Sequence, residues 1–483
     1  MSKEILEDPR EVSDAGDAGY SKALKPRHIS MIAIGGAIGT GLFLGAGGSL
    51  AKAGPALAFA YAICGVFAFF VVRALGELVV HRPSSGSFVS YAREFLGEKG
   101  AYVAGWMYVL NWASAGMADI TAVALYVHYW SMFTTVPQWL LALIALAIVL
   151  AINLISVKMF GEMEFWFAIV KVAAIVVFLG IGIWLLVTRH PIDGTTPGYS
   201  LISDNGGFFP LGVLPVILVM QTVLFAYAAV EMVGVTAGET EDPHTVVPKA
   251  VNSIMWRVAI FYVGSVLMLT LLLPWTAYSA DQSPFVTVLS KLGVPAAGGV
   301  MNLVVLTAAM SSLNSGLYTT GRILRSMSMA GSAPGFTARM SKRHVPYAGI
   351  LLTSTVVLLG VALNAWLPDK AFAIVTNISA LGVISTWTMI MVCHLVFVRQ
   401  AKQGLIDRPA FQLWASPWIE LATIAFLAGV VVMMWFDTDG TGRDTVMLVV
   451  PIAAALTLGW YAVRGRVRGI ESAEQPPPVD PLG

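Results

Sequence analysis

The chain has 483 residues, of which 57% are hydrophobic and 12% charged, whereas a soluble domain is about 25% charged. A water-soluble core could not hide that much apolar surface, and the mean hydropathy of +0.76 identifies an all-α polytopic membrane protein. The net charge of +1 says nothing of partners, and no nucleic-acid partner is expected.

The first 28 residues are polar and mixed in charge. With no apolar stretch, they read as a cytoplasmic N-terminal tail rather than a cleaved signal peptide. Twelve apolar spans follow, near 29–50, 56–80, 101–130, 137–156, 163–187, 211–237, 252–274, 297–329, 346–366, 371–398, 417–436 and 444–464, each long enough for a bilayer. The eleventh is the weakest, because only 421–436 is free of charge. Residues 29–398 read as a ten-helix transport core in two halves, near 29–187 and 211–398. Spans eleven and twelve occupy 417–464, and 465–483, with Pro476-Pro477-Pro478, reads as a disordered cytoplasmic tail. Cys64 and Cys393 both fall inside apolar spans, so no disulfide framework is implied. The seven histidines show no metal-ligand spacing, and no metal, cofactor or catalytic residue is expected.

Span one carries no charge and reads Ile34-Gly35-Gly36-Ala37-Ile38-Gly39-Thr40-Gly41-Leu42-Phe43, followed by Gly45, Gly47 and Gly48. Glycine costs roughly 1 kcal/mol relative to alanine in a helix interior. Hydrocarbon tolerates loose backbone only where it is buried in protein or lines a cavity. Close packing through small residues is the plainer explanation, but Gly39-Thr40-Gly41 is denser than one packing face requires. The helix is expected to break here and to bare main chain to a ligand. Span three carries Asn111, Ser114 and Asp119, the last being the only charge between Lys99 and Lys158. Span five carries Lys171, alone between Glu164 and Arg189. Span six, Phe225-Ala226-Tyr227-Ala228-Ala229-Val230-Glu231, sets small residues beside a carboxylate that stands alone between Asp204 and Glu239. It too is expected to be interrupted.

Spans one and six hold corresponding places in the two halves, which points to an inverted repeat with a midplane site. The halves share no residue-level similarity beyond this. A charge at the bilayer centre costs about 2.5–3.5 kcal/mol, so Asp119, Lys171 and Glu231 are expected to face a polar cavity, structural pairing being the alternative. Lys171 and Glu231 are the candidates for proton coupling. Ser311, Ser312, Asn314 and Ser315 in span eight, and Asn377 and Ser379 in span ten, suit either interhelical hydrogen bonding or a small polar ligand. Arg73 and Glu77, four residues apart, are expected to pair. Glu239, Glu241 and Asp242 read as a solvated loop or a cytoplasmic gate.

With both termini cytoplasmic, the inside segments hold 22 Lys/Arg and the outside segments five, while Arg73 and Lys171 lie within spans. The positive-inside rule selects this orientation.

Gly36-Ala37-Ile38-Gly39-Thr40-Gly41-Leu42-Phe43 resembles the first-helix signature of the amino acid–polyamine–organocation superfamily. Arg73-Ala74-Leu75-Gly76-Glu77-Leu78, Glu231-Met232-Val233-Gly234 through Glu239, and Val247-Pro248-Lys249-Ala250 resemble its bacterial amino acid permease branch. The likeness covers about residues 25–465. Within that branch, Gly116 to Tyr126 with His128-Tyr129-Trp130, Ser203 to Pro210, and Ser311 to Tyr318 are similar to the members that carry L-asparagine. The resemblance implies a LeuT-like 5+5 inverted repeat with helices 1 and 6 broken. It implies a transporter rather than an enzyme, importing L-asparagine across the cytoplasmic (inner) membrane by proton symport and alternating access. Main-chain N–H groups around Gly39, Thr40 and Gly41 would hold the substrate carboxylate. Carbonyls near Ala37 and from Phe225 to Ala228 would take its ammonium. Lys171 would stand where sodium-coupled relatives bind an ion. Asn111, Asp119, Ser311 and Asn377 are candidates to meet the side-chain amide, which needs donors and acceptors. The rivals are a permease for glutamine, glycine, serine or γ-aminobutyrate, and an amino-acid sensor that moves nothing. No oligomeric state is implied.

Overall fold

The structure is a computed structural model that describes residues 38–84, 87–232, 234, 243–294, 296–437 and 440–474. Ala37, Glu239, Glu241 and Asp242 lie outside the described residues, as do the first half of span one and both ends of the chain. What is described of span one is α1 (Thr40–Phe43) followed by α2 (Gly45–Ala53). Gly39 enters α1 in an extended conformation, with φ −132° and ψ −163°. At the far end Gly54, with φ +64°, turns the chain into α3 (Leu57–His81).

The next helix, α4 (Ser87–His128), is bent at Gly97, where φ is 77°. Its first turns fall in 81–100, which the charges mark as a loop between spans. They fold because the charges pair locally: Arg82 with Glu94 at 2.7 Å and Arg93 with Glu98 at 2.5 Å. Then come α5 (Gln138–Ile155) and α6 (Val157–Thr188), the latter capped by the Ser156 hydroxyl, which accepts from Met159 N–H. The sixth apolar stretch is broken into α7 (Leu214–Leu218) and α8 (Met220–Ala226), and beyond Ala226 the chain turns rather than continuing as helix. α9 (Pro243–Arg257) runs through a π-helical stretch, Val258–Gly264, into α10 (Ser265–Leu272). The remaining helices are α11 (Pro284–Ser290), α12 (Ala297–Met329), α13 (Tyr347–Trp366), α14 (Pro368–Lys402), α15 (Trp418–Met434), α16 (Thr441–Met447) and α17 (Val449–Glu474).

Among the described residues, eight helical stretches are long and apolar enough to cross a membrane, and Leu214–Ala226 and Trp418–Met434 are shorter apolar helices. The bundle is organised on α4, which packs against α12, α13, α14 and α5. α6 lies against α12, while α8 touches α1, α3 and α14. α17 is peripheral, and Val450 and Leu458 on it are exposed. It continues to Glu474, beyond the boundary at 465 drawn from the sequence.

Arg73 and Glu77 take tertiary partners. Arg73 donates to the Gln412 carbonyl at 3.0 Å and to Asn252 Oδ1 at 2.8 Å. Glu77 accepts from Arg408, from His394 at 3.0 Å and from Leu413 N–H at 2.6 Å. The i,i+4 spacing permits a local pair, but buried donors from other elements reach Glu77 and satisfy it more fully.

Candidate functional site

Two helix ends meet at the middle of the bundle. On one side α1 begins only at Thr40, and its first internal hydrogen bond runs from Phe43 N–H to the Gly39 carbonyl, 3.2 Å. The N–H groups of a first helical turn have no partner within the helix, so those of Thr40, Gly41 and Leu42 are free of helical bonding. On the other side α8 stops at Ala226, and Ala229 adopts φ +76°. A non-glycine residue in the left-handed region costs about 1–3 kcal/mol and is informative where it occurs.

Between the breaks is a cavity of about 20 Å³, lined by Gly39, Thr40, Gly41, Trp112, Ala115, Phe225, Ala226, Ala228, Ala229 and Ser312. A single water needs about 10–15 Å³, so the conformation is shut, and anything larger enters only if the two helices part. Gly41 explains the closeness. A Cβ there would lie 2.4 Å from Ala226 Cα, so α1 and α8 meet backbone to backbone. The lack of a side chain at Gly41 is what lets the two helices come this close. Gly39 differs: a Cβ there would meet only Ser312, at 3.7 Å.

The side chains behind the cavity form a polar chain across five helices. The Thr40 hydroxyl donates to Asp119 Oδ1 at 2.8 Å. Ser312 and Lys171 are the other polar neighbours of Asp119, which is buried. Lys171, fully buried, lies among Glu164 and Asp119. Glu164 Oε1 accepts from the Ser311 hydroxyl at 2.6 Å, and Asn314 Nδ2 donates to Glu164 Oε2 at 3.5 Å. Asn153 on α5 closes the chain, donating to Asn314 Oδ1 at 2.7 Å.

Of the residues singled out in the sequence, Gly39, Thr40, Gly41, Phe225 and Ala228 line the cavity, and Asp119 is bonded to its wall. Asn111 does not line it. Trp112, Ala115 and Asp119 share the face of α4 that meets the breaks, and Asn111, about 100° round, is turned to α14, where Ser379 donates to it at 2.8 Å. Ser311 likewise points to α6, and Ser312, the next residue, takes the lining position. Asn377 lies in a separate cavity, where its Nδ2 donates to Thr441 at 3.0 Å. Glu231 is buried beyond the second break; its Oε2 accepts from Trp387 Nε1 at 3.4 Å, and its Oε1 has no partner. Of the carbonyls at the break, Phe225 accepts from Ala228 N–H at 3.0 Å and Ala226 from the Tyr262 hydroxyl at 3.3 Å. Each oxygen keeps a second lone pair.

Glu164 and Trp112 were not singled out from the sequence, and Ser312 only as one of the polar residues of span eight. Glu164 looks like the edge of an apolar span, yet it precedes Lys171 by seven residues, two helical turns, and so shares its face. That spacing was the available signal.

Helix ends facing each other inside an apolar bundle, backed by a buried carboxylate and lysine, define a multi-pass membrane protein built around main chain released from helical bonding. The chain belongs to the amino acid permease family, whose model matches residues 28–468. Over 466 residues it is 70% identical to the L-asparagine permease of Streptomyces coelicolor, covering 96% of this chain and 95% of that one. It is 59% identical over 459 residues to the L-asparagine permease of Escherichia coli (95% and 92%). It is 57% identical over 454 residues to L-asparagine permease 1 of Mycobacterium tuberculosis (94% and 93%). The chain is thus a transporter of the membrane, of a family whose members are permeases and not enzymes.

Proposed function

We propose that this permease imports L-asparagine across the cytoplasmic membrane by proton symport. In this reading it has twelve spans, with both termini in the cytoplasm. A LeuT-like pair of five-helix halves, near 29–187 and 211–398, forms the core and spans eleven and twelve flank it. The substrate lies between the two helix breaks. The N–H groups near Gly39, Thr40 and Gly41 take its carboxylate, and carbonyls near Ala37 and from Phe225 to Ala228 take its ammonium. A half-helix N-terminus favours an anion, and unwound carbonyls favour a cation. Asp119 accepts from the amide NH₂ of the side chain and repels the second carboxylate of aspartate. Lys171 and Glu231 couple transport to protons.

The observation that carries the reading is the shut cavity between the breaks, with Asp119 hydrogen-bonded to Thr40 in its wall. The names of the relatives support the choice of asparagine.

The test is uptake of radiolabelled L-asparagine by the purified chain in liposomes. Uptake is expected to saturate, to rise with an inward proton gradient, to collapse with a protonophore and to ignore sodium replacement. Lys171→Ala should lose accumulation while exchange survives, because exchange moves no net proton. A strict sodium requirement, or binding without flux, would overturn the mechanism. Stronger competition by glutamine, glycine, serine or γ-aminobutyrate than by asparagine would overturn the substrate.

A further inference from the structure

Glu164 is a buried acid to which the transport cycle has so far given no task. It lies on α6, two helical turns before Lys171 and on the same face. Asp119, Lys171 and Glu164 are all buried, and the charged neighbours of Lys171 are Glu164 and Asp119. Facing Glu164 from α12 are the neutral Ser311 and Asn314, the latter bonded to Asn153 of α5. Asp119 of α4 stands across Lys171. Two carboxylates therefore share one ammonium inside an apolar bundle. Fully ionised, the trio is one negative charge in excess. An uncompensated buried charge is heavily penalised, and a single added proton removes it.

Hydrogen bonding chooses between the two acids. Asp119 accepts from Thr40 on Oδ1, with Ser312 as a second hydroxyl beside it, and its Oδ2 has no partner to take up an acid's proton. Glu164 has one close partner, the Ser311 hydroxyl at 2.6 Å, and one distant one, Asn314 Nδ2 at 3.5 Å. A serine hydroxyl donates or accepts as it rotates. The Ser311 contact thus serves Glu164 as an acid as well as a carboxylate, and Glu164 can hold or give up a proton without losing its close partner.

The seam between α6 and α12 also has a closure on the far side of Glu164. One turn along α6 from Glu164 is Phe160, and one turn along α12 from Asn314 is Tyr318. The two buried rings stack, with centroids 4.1 Å apart and planes at 18°. Arg322, one turn further along α12, has its guanidinium carbon 5.8 Å from the centre of the Tyr318 ring. With both termini in the cytoplasm, as the symport reading has them, this is the inner side. Lys171, Glu164 and the ring stack then follow one another from the level of the central cavity toward the cytoplasm.

We propose that Glu164 is the acid that carries the transported proton, receiving it from Lys171 and releasing it toward the inner end of α6 when the Phe160–Tyr318 stack parts. An N–H bond of the Lys171 ammonium breaks as an O–H bond forms on Glu164, leaving an amine and a neutral acid. The amine is reprotonated from the outer side, and Glu164 returns to a carboxylate when its proton leaves inward. The inference rests on the reading of the chain as a proton symporter and adds the group between Lys171 and the cytoplasm.

The test uses the purified full chain in liposomes loaded with a pH-sensitive dye. In wild type, external L-asparagine should acidify the lumen, and an inward proton gradient should accumulate asparagine. Glu164→Gln keeps an oxygen for Ser311 but cannot carry a proton. Its asparagine-linked acidification and its accumulation should both be lost, while exchange of internal for external asparagine persists. Glu164→Asp still titrates and should restore acidification at a reduced rate. If Glu164→Gln folds poorly, infrared spectra decide: wild type should show a protonated-carboxyl band that Glu164→Asp shifts and Asp119→Asn leaves in place. Four results would each overturn the role of Glu164 while proton symport by wild type stands. They are wild-type acidification per asparagine in folded Glu164→Gln, loss of exchange at an unchanged melting temperature, no rescue by Glu164→Asp, and a carboxyl band indifferent to Glu164→Asp. Wild type that moves asparagine without acidifying the lumen would instead overturn the symport reading, and this proposal with it.

Discussion

Around His394 the buried polar atoms are almost all bonded. Its Nδ1 is 2.9 Å from Glu420 Oε1 and its Nε2 3.0 Å from Glu77 Oε2. Arg408 donates to both oxygens of Glu77, Leu413 N–H adds a bond at 2.6 Å, and Ser416 donates to Glu420. Glu420 Oε2 is the exception, without a partner. Around the helix breaks the bonding is only partial. Asp119 Oδ2 and Glu231 Oε1 are buried and without a hydrogen-bond partner. Glu77, His394 and Glu420 are as deeply buried as Asp119 and Glu231, so burial of these groups alone does not separate the clusters; satisfaction does. The first ties α3, α14, α15 and the segment before α15 together, and has little capacity left for a ligand. The second is costly as it stands, because each orphan group forfeits about 1–3 kcal/mol. A polar substrate arriving there has bonds to form.

The comparison breaks or holds on a pair of substitutions with opposite signatures. Glu77→Ala leaves His394 and Arg408 facing an empty place. Removing one member of a buried charged set costs about 3–5 kcal/mol, so thermal stability in detergent should drop sharply. Uptake per folded molecule should stay near wild type, and a selective loss of uptake at unchanged stability would contradict the division. Asp119→Asn should do the reverse. It keeps an oxygen for Thr40 and hardly changes volume, so stability should hold. A lost charge-assisted hydrogen bond costs about 1.5–3 kcal/mol, which lowers asparagine uptake by roughly ten- to a hundredfold and narrows the preference over aspartate. If asparagine and aspartate compete in the same ratio in both proteins, Asp119 does not read the side chain.

Two glycines of α1 sharpen the same line within the central site. Gly41→Ala pushes a Cβ to 2.4 Å from Ala226 Cα. Overpacking of this kind costs about 1–3 kcal/mol, so both stability and uptake should fall. Gly39→Ala fits the shut conformation, with Ser312 Oγ 3.7 Å away and a backbone φ of −132° that any residue adopts. On the proposed substrate path its methyl group would occupy space the substrate needs. Stability should stay within about 0.5 kcal/mol, as for ordinary substitutions, and uptake should fall. Wild-type uptake by Gly39→Ala would remove the central cavity from the transport path.

The sequence made the breaks legible because glycine density and a lone carboxylate are local signals: Gly39-Thr40-Gly41 and Glu231 need no partner to look out of place. Asp119 and Lys171 stood out for the same reason, as single charges in long apolar runs. Helix phase was not legible. Ser311 and Ser312 are chemically identical neighbours, and which one faces the cavity depends on how α12 is rotated against α6. Trp112 reads like any membrane aromatic, and Asn111 beside it looks the better ligand until α14 is seen to claim it. Glu77 was misassigned because the i,i+4 rule describes an isolated helix. Its real partners, Arg408 and His394, are more than 300 residues away along the chain.

The smallest expected effect separates the two regions by strain. Ala229 at the second break has φ +76°, and Ala415 in the segment leading to the His394 cluster has φ +52°. Both sit in the left-handed region, which an alanine Cβ disfavours by about 1–2 kcal/mol. Glycine removes that penalty but adds about 0.4–1 kcal/mol of unfolded-state entropy to be lost on folding. The net gain should therefore be on the order of 0.5 kcal/mol in each case. Ala415→Gly acts on an exposed turn whose carbonyl still accepts from Trp418 N–H at 2.9 Å, so a small rise in melting temperature should come with unchanged uptake. Ala229→Gly acts where the turn also lines the cavity. Its stability should rise by a similar amount, yet uptake should fall severalfold, because a freer turn no longer holds the Phe225–Ala228 carbonyls in one arrangement. Equal uptake in the two variants would mean that the strain at Ala229 is only a cost of ending α8, with no part in transport.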